Sequence, residues 1–508
     1  MSSLRANTFA NLLGQIWRAL MAFAFVPVLI QQLGTEAFGL IALYASLQAW
    51  FVLVDMGLRP TVSREMATLK SGRRSAESAH DLLRTIELVA ISFSLFAALG
   101  LFLASTWLAS HWLNTEKLSL VTTTNAIVVM GVIAAAQLME GLYAGALAGL
   151  ERQVLQNVVA SAMATLRGLG GAICVSFVAA DIGVYFAWQL GVAVLAVFSM
   201  RLAVKLAMPS AARAARLSWA ELHGVRAYAG GVVVITILVL MLTQVDKILL
   251  ATLLPLDQFA HYALAGLVAS SMFYLYGPVV SAFYPRLTVY AGMPNKGPEL
   301  ARTYHLGSQL VTVLAGTVAI TLVAFSEPLL RMWTGNADMA REVAPLLVLL
   351  TIGTLLNGLM ALPYHLQLAH GWTSLTIALN SFAVVVLGTA ILILVPKFGA
   401  TASAAIYACL NAMYVLVGVW LMHKRLLPLE KWRWYLRDTA IPLLVMASVG
   451  FATRGLVNEE MPPFTMLLCI ALSASAVLAS AIIAAPEVRS AFTARMFRSK
   501  QITNANIL

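Results

Sequence analysis

Apolar runs of roughly 20 residues, enough for a helix to cross the hydrocarbon core, recur along the whole chain. Short polar segments rich in Lys and Arg separate them. The runs fall at 8–31, 37–57, 83–107, 122–148, 153–178, 182–204, 227–250, 257–284, 305–326, 344–368, 372–395, 398–422, 438–456 and 463–485. In lipid every backbone N–H and C=O must be satisfied internally, and a helix does this within one segment. The pattern therefore predicts an all-α, polytopic membrane protein of about 14 transmembrane helices. The first run contains Arg18 and has no small-residue cleavage site behind it, so it reads as a permanent span rather than a signal peptide.

Charge gives the runs an orientation. With the N-terminus inside and the spans alternating, 25 of the 33 Lys and Arg fall in cytoplasmic segments and 5 in outer loops. The other three, Arg18, Arg167 and Lys247, lie within spans. A bias of this size is the positive-inside signature and predicts both termini in the cytoplasm. The formal net charge of +11 is thereby explained by topology, and no nucleic-acid partner is predicted. Composition agrees, with 60% hydrophobic and 11% charged residues, against about 25% charged in soluble chains. Cys174, Cys409 and Cys469 are scattered through apolar runs without metal-ligand spacing. Trp107, Trp112, Trp333, Trp372, Trp420, Trp432 and Trp434 fall at span ends, where amphipathic rings favour the headgroup zone.

The basic segment 205–226 divides the chain into similar halves. Leu33-Gly34-Thr35-Glu36-Ala37-Phe38 precedes the second span, and Leu254-Pro255-Leu256-Asp257-Gln258-Phe259 precedes the eighth. Glu140-Gly141-Leu142 corresponds to Asn357-Gly358-Leu359, and Gly183 to Gly399. The expected organisation is a six-helix lobe over 1–204, a cytoplasmic linker over 205–226, a second six-helix lobe over 227–422, and helices 13 and 14 with a cytoplasmic tail over 423–508. Parallel repeats of this kind place a substrate site between the halves. The loops leave no room for a soluble catalytic domain, and no Walker A sequence occurs. The expectation is a chain without enzymatic chemistry or cofactor.

Polar residues inside the spans are where chemistry is expected, because ionisable groups at membrane depth are costly. Asn7, Asn11, Gln15 and Arg18 share one face of the first span. At about 1.5 Å per residue, Arg18 is some 15 Å deep. Gln48 and Asp55 lie on the second span, Gln137 and Glu140 on one face of the fourth, and Arg167 deep in the fifth. Two arginines suggest a cationic, water-filled cavity, since the guanidinium fork matches phosphate oxygens and stays charged. Arg18, Arg167, Asn11 and Gln15 are its candidate lining. Glu140 is the candidate for ion coupling; alternatively it pairs with Arg18 or Arg167 and locks helices together. Asp55 and Arg59, at the inner end of the second span, read as a gate or loop contact, as do Asp246 and Lys247 on the seventh. Hydroxyls and aromatics on the eighth and tenth spans suit sugar rings or interhelical contacts equally. Gly141, Gly145 and Gly149 form a small-residue stripe that lets another helix approach.

The run Asn11…Gly14, Pro27-Val28-Leu29-Ile30, Leu33-Gly34, Phe38-Gly39-Leu40, Asp55-Met56-Gly57-Leu58 and Arg64-Glu65 resembles the N-terminus of the polysaccharide-transport flippases. These are the Wzx-type translocases of the multidrug/oligosaccharidyl-lipid/polysaccharide exporter superfamily. Asp246-Lys247-Ile248-Leu249-Leu250 followed by Phe259 resembles that family's helix 7–8 junction. The resemblance implies alternating access between two lobes in a bacterial inner membrane, with proton or sodium coupling. It implies an undecaprenyl-diphosphate-linked oligosaccharide, for O-antigen or exopolysaccharide, moved from the cytoplasmic to the periplasmic leaflet. A polysaccharide polymerase, a chain-length regulator and membrane lipid are the implied partners. Three rivals stay open. A lipid II flippase would share the cationic cavity. A multidrug or cation antiporter calls for acidic lining instead. A non-transporting scaffold would not need mid-span charges.

Overall fold

The computed structural model describes residues 2–54, 58–70, 72–219, 240, 241, 243–293, 295–458 and 461–491. Among these, eleven helices are long and apolar enough to cross a membrane, and a pair bent by 40°, Leu256–Ser270 and Phe273–Ala291, makes a twelfth. Helix Thr35–Val54 occupies the predicted second span. Residues 243–253 are helical within the predicted seventh, while 227–239 lie outside the described residues. The all-helical, multi-span class expected from the hydrophobic pattern is the one observed.

The first span is two helices, Ser2–Ala24 and Val26–Leu33, meeting at Phe25. Pro27 in the first turn of the second piece has no N–H to continue the ladder. Gly34 ends this piece with φ +84°, a left-handed conformation that favours glycine, and its N–H bonds Ile30 O at 2.9 Å. Side chains such as Phe96, Leu103, Phe177 and Phe464 are 72–85% exposed along helix flanks. On a water-soluble protein such surface invites association; here it is the face offered to lipid.

The chain forms two compact units, Met1–Ala260 and His261–Leu508. In the first, Val62, Met66, Leu82, Ile86, Leu142, Leu147 and Met200 build a core among Leu58–Lys70, Ala76–Trp107, Leu120–Gly149 and Ile182–Ala207. The glycine stripe serves this packing in part. A Cβ on Gly145 would lie 2.6 Å from Arg59 O, and one on Gly149 2.1 Å from Ser63 O. Gly141 has open space instead. The stripe's partner is therefore the short helix Leu58–Lys70. Part of the basic segment after the sixth span is strapped to the same unit. Arg213 pairs with the buried Asp81, the Arg216 N–H donates to Asp81 at 2.6 Å, and the Ser218 N–H donates to Thr85 Oγ1 at 2.9 Å.

In the second unit, Tyr276, Leu287, Tyr304, Val311, Leu362, Val419 and Trp434 share a core. Val313, Met446, Val477 and Ala481 form another, which seats Ile441–Arg454 and Pro463–Ala484 on helix Gly297–Ala324. Trp434, expected at the headgroups, is 1% exposed and belongs to the core. Among the described residues, π-helical turns interrupt spans at Leu166–Gly170, Tyr414–Gly418 and Trp434–Ala440, and another, Leu108–Trp112, closes the third span.

Candidate functional site in the first unit

The first and fifth spans meet through a ladder of amides. Asn7 Nδ2 donates to Glu151 O at 3.2 Å, and Asn11 Nδ2 to Gln153 Oε1 at 2.7 Å. Asn157 Nδ2 donates to Asn11 Oδ1 at 2.6 Å, while its Oδ1 accepts from Arg18 Nη1 at 3.0 Å. Trp17 Nε1 closes the ladder on Thr165 Oγ1 at 2.9 Å. Gly14 makes this approach feasible, because a Cβ there would stand 2.4 Å from Asn157 Oδ1. Gln15 sits at the edge of the polar stripe and is exposed. Asn157 was not singled out from sequence, yet it bridges Asn11 and Arg18; the amides Gln153, Gln156 and Asn157 at the head of an apolar run were the available signal.

Interhelical hydrogen bonds in membranes contribute about 0.6 kcal/mol each, with a maximum near 1.7. Asn157→Leu removes two of them and leaves the facing amide and guanidinium without that partner. It is expected to cost roughly 1–3 kcal/mol, read as a lower thermal midpoint of the detergent-solubilised protein. An unchanged midpoint would show that the ladder contributes nothing.

A second cluster gathers residues from four spans. Arg167 Nη2 donates to Glu140 Oε2 at 2.6 Å, with the two side chains 28% and 16% exposed. Arg167 lies in the π turn Leu166–Gly170. Trp188 Nε1 and Gln189 Nε2 of the sixth span donate to the carbonyls of Leu166 and Arg167 at 2.7 and 3.1 Å. They fix the turn that aims Arg167 at the fourth span. One turn before Glu140, Gln137 Nε2 donates to Tyr44 OH of the second span at 2.9 Å. Tyr44 stands edge-on to Phe186, ring centroids 5.7 Å apart. Of the two partners open to Glu140, the structure supplies Arg167, and Arg18 belongs to the ladder. Burial of such a pair is weak evidence for stability, since desolvation offsets the attraction. Its chemical capacity is different: a half-buried guanidinium fork beside a carboxylate, ringed by a phenol and two amides.

The remaining candidates lie apart. Asp55 is outside the described residues. Arg59 is exposed, and its carbonyl faces Gly145. Lys247 Nζ turns back to Thr243 O at 2.8 Å, and Asp246 is half-buried beside it in sequence. In the second unit, Asn357 Nδ2 donates to Asn411 Oδ1 at 3.0 Å and joins the tenth span to the twelfth.

A many-span helical fold with a polar, charged cluster inside one unit is the architecture of a membrane transporter. Its family follows from the sequence: a profile described as polysaccharide biosynthesis protein matches residues 4–290, more than half of the chain, and the protein belongs to that family. A "Putative O-antigen transporter" of Shigella flexneri is 21% identical over 426 residues, covering 82% of this chain and 97% of the relative. Among solved structures, the lipid II flippase MurJ in an inward closed conformation superposes with a TM-score of 0.69 at 13% identity, covering 94% of this chain and 98% of its own. An inward-facing multidrug resistance MATE family transporter of the MOP superfamily reaches 0.65 at 13% identity, over 82% of this chain and 96% of its own. At such identity these structures share the fold with this protein.

Proposed function

We propose that the protein flips undecaprenyl-diphosphate-linked oligosaccharide, an O-antigen or exopolysaccharide repeat unit, from the cytoplasmic to the periplasmic leaflet of a bacterial inner membrane. The observation that carries this reading is Arg167, held half-buried in the π turn and paired with Glu140, one turn from the Gln137–Tyr44 hydrogen bond. A diphosphate offers the planar acceptor pairs that a guanidinium fork matches, and amides and a phenol suit a sugar. Family membership and the O-antigen transporter relative support the same class. Alternating access, both termini in the cytoplasm, ion coupling through Glu140 and contacts with a glycan polymerase belong to this proposal. A lipid II flippase is the second reading. The coverage of MurJ favours it, for it extends over 94% of the chain, against 82% for the MATE structure.

Deletion of the gene tests the proposal. Surface polysaccharide should be lost and lipid-linked repeat units should accumulate in the inner leaflet. Wild type should restore the polymer; Arg18→Ala and Arg167→Ala should insert in the membrane and fail to restore it. Unchanged polymer on deletion would overturn the reading, and accumulation of lipid II with lysis would establish the second one.

A further inference from the structure

The second unit holds a buried set of ionisable side chains away from every residue assigned above. His305 lies on helix Gly297–Ala324, and Asp438 lies in the π turn Trp434–Ala440. Both side chains are wholly buried, and His305 Nδ1 meets Asp438 Oδ2 directly. On the other side of the ring, His305 Nε2 is 2.9 Å from Glu430 Oε2. Gln309 Nε2 donates to Asp438 Oδ1 at 2.8 Å, and its Oε1 accepts the Glu487 N–H at 2.8 Å. Arg433 reaches Glu430 at 3.4 Å and Glu487 at 2.8 Å. Tyr304 stands edge-on to His305, and its hydroxyl is 3.4 Å from His423 Nε2; Lys431 also acts electrostatically on His423. Leu287 and Leu362, from the neighbouring helices, belong to the apolar core that surrounds Tyr304.

Counting protons gives this arrangement a meaning. A carboxylate only accepts, and a neutral imidazole carries a single N–H. A ring with a carboxylate oxygen at each nitrogen closes both contacts only with one proton more than a neutral ring and two carboxylates hold. Without that proton, a bare nitrogen lone pair faces a carboxylate oxygen where no water can intervene, which is unfavourable. Docking the thirteenth span needs no such charges, since apolar packing would serve equally well. The placement of Asp438 in a π turn is a feature met often at functional sites.

We propose that His305, Asp438 and Glu430 form a proton-binding site, which exchanges its proton with water through Glu430. The route follows from burial: Glu430 is 26% exposed, and the other two side chains are sealed. On release, the Nε2 proton of the imidazolium passes to a Glu430 oxygen and then to water. The neutral ring keeps its Nδ1–H on Asp438. Glu430 loses the ring and keeps Arg433, so the segment between spans 12 and 13 is the part freed.

The test uses purified full-length protein without substrate, so its outcome is independent of the proposed cargo. Thermal midpoints are measured from pH 5 to 9 for wild type, His305→Gln and Glu430→Gln. A site that holds its proton more tightly folded than unfolded stabilises at low pH and loses that contribution as pH rises through the folded-state titration. The wild-type midpoint should fall by about 3 °C across that titration, and His305→Gln should lack this fall. Glu430→Gln, altered at the exposed edge, should fold and move the fall to lower pH, because an amide oxygen stabilises the imidazolium less than a carboxylate. Parallel curves for all three proteins, or an unshifted Glu430→Gln curve, would overturn the proposal; if His305→Gln does not accumulate, Glu430→Gln decides.

Discussion

Arg167→Ala is expected to lower export of lipid-linked glycan by about 10–100-fold, the loss of a charged hydrogen-bonding partner worth roughly 1.5–3 kcal/mol. Two effects contribute to any such loss, and they separate experimentally. Removing Arg167 deprives the cargo of a guanidinium, but it also leaves Glu140, 16% exposed, without its ion-pair partner. The double variant Glu140→Arg with Arg167→Glu restores a pair of opposite charges while moving the guanidinium to the fourth span. If the arginine binds a diphosphate from the π turn, the swapped protein folds and export stays at least about tenfold down. If the pair only locks helices, the swap restores export, and the ligand role is lost. Arg167→Lys refines the answer: it keeps the charge and loses the fork, so bidentate recognition predicts an intermediate defect.

Gly149→Leu is expected to eliminate folded protein from detergent extracts, as judged by size-exclusion chromatography. A Cβ there would stand 2.1 Å from the Ser63 carbonyl oxygen, and backbone cannot step aside as a side chain can. Gly149→Ala should already cost about 1–3 kcal/mol by overpacking. Gly141→Leu is the internal control, with nothing within 4 Å of its Cβ position, and should accumulate near the wild-type level. Equal behaviour of Gly141→Leu and Gly149→Leu would contradict the assignment of helix Leu58–Lys70 as the stripe's partner.

The all-helical, many-span class was legible because each apolar run is long and the alternatives in lipid are few. The ends of spans were not. Hydropathy began the ninth span at 305 and the thirteenth at 438, whereas the helices begin at Gly297 and Lys431. Hydropathy marks where polar residues stop, but polar residues that satisfy one another continue a helix unseen. His305 and Asp438 thereby stood as the first residues of their runs, and Trp434 as an interfacial ring, although all three are buried. Arg167 and Glu140 were readable as costly residues, yet which partner each would take depends on the π turn, for which the sequence carries no periodic signal. Gln15 followed the right periodicity and still faces outward, since helical spacing defines a stripe and only packing defines its width.

The π turn at Leu166–Gly170 also divides the fifth span into segments with separate phase. In an α-helix each residue advances about 100°, and a turn closed by bonds to the fifth residue holds one residue more than the ladder around it. Gln153–Thr165 thus sets the azimuth of Asn157 toward the first span, while Gly171–Phe177 resumes with its own rotational setting. Removal of that extra residue would close the turn as ordinary α-helix and leave the segments on either side facing as they do. A relative one residue shorter here would keep its faces if the gap in its alignment fell inside this turn, within an unbroken transmembrane helix.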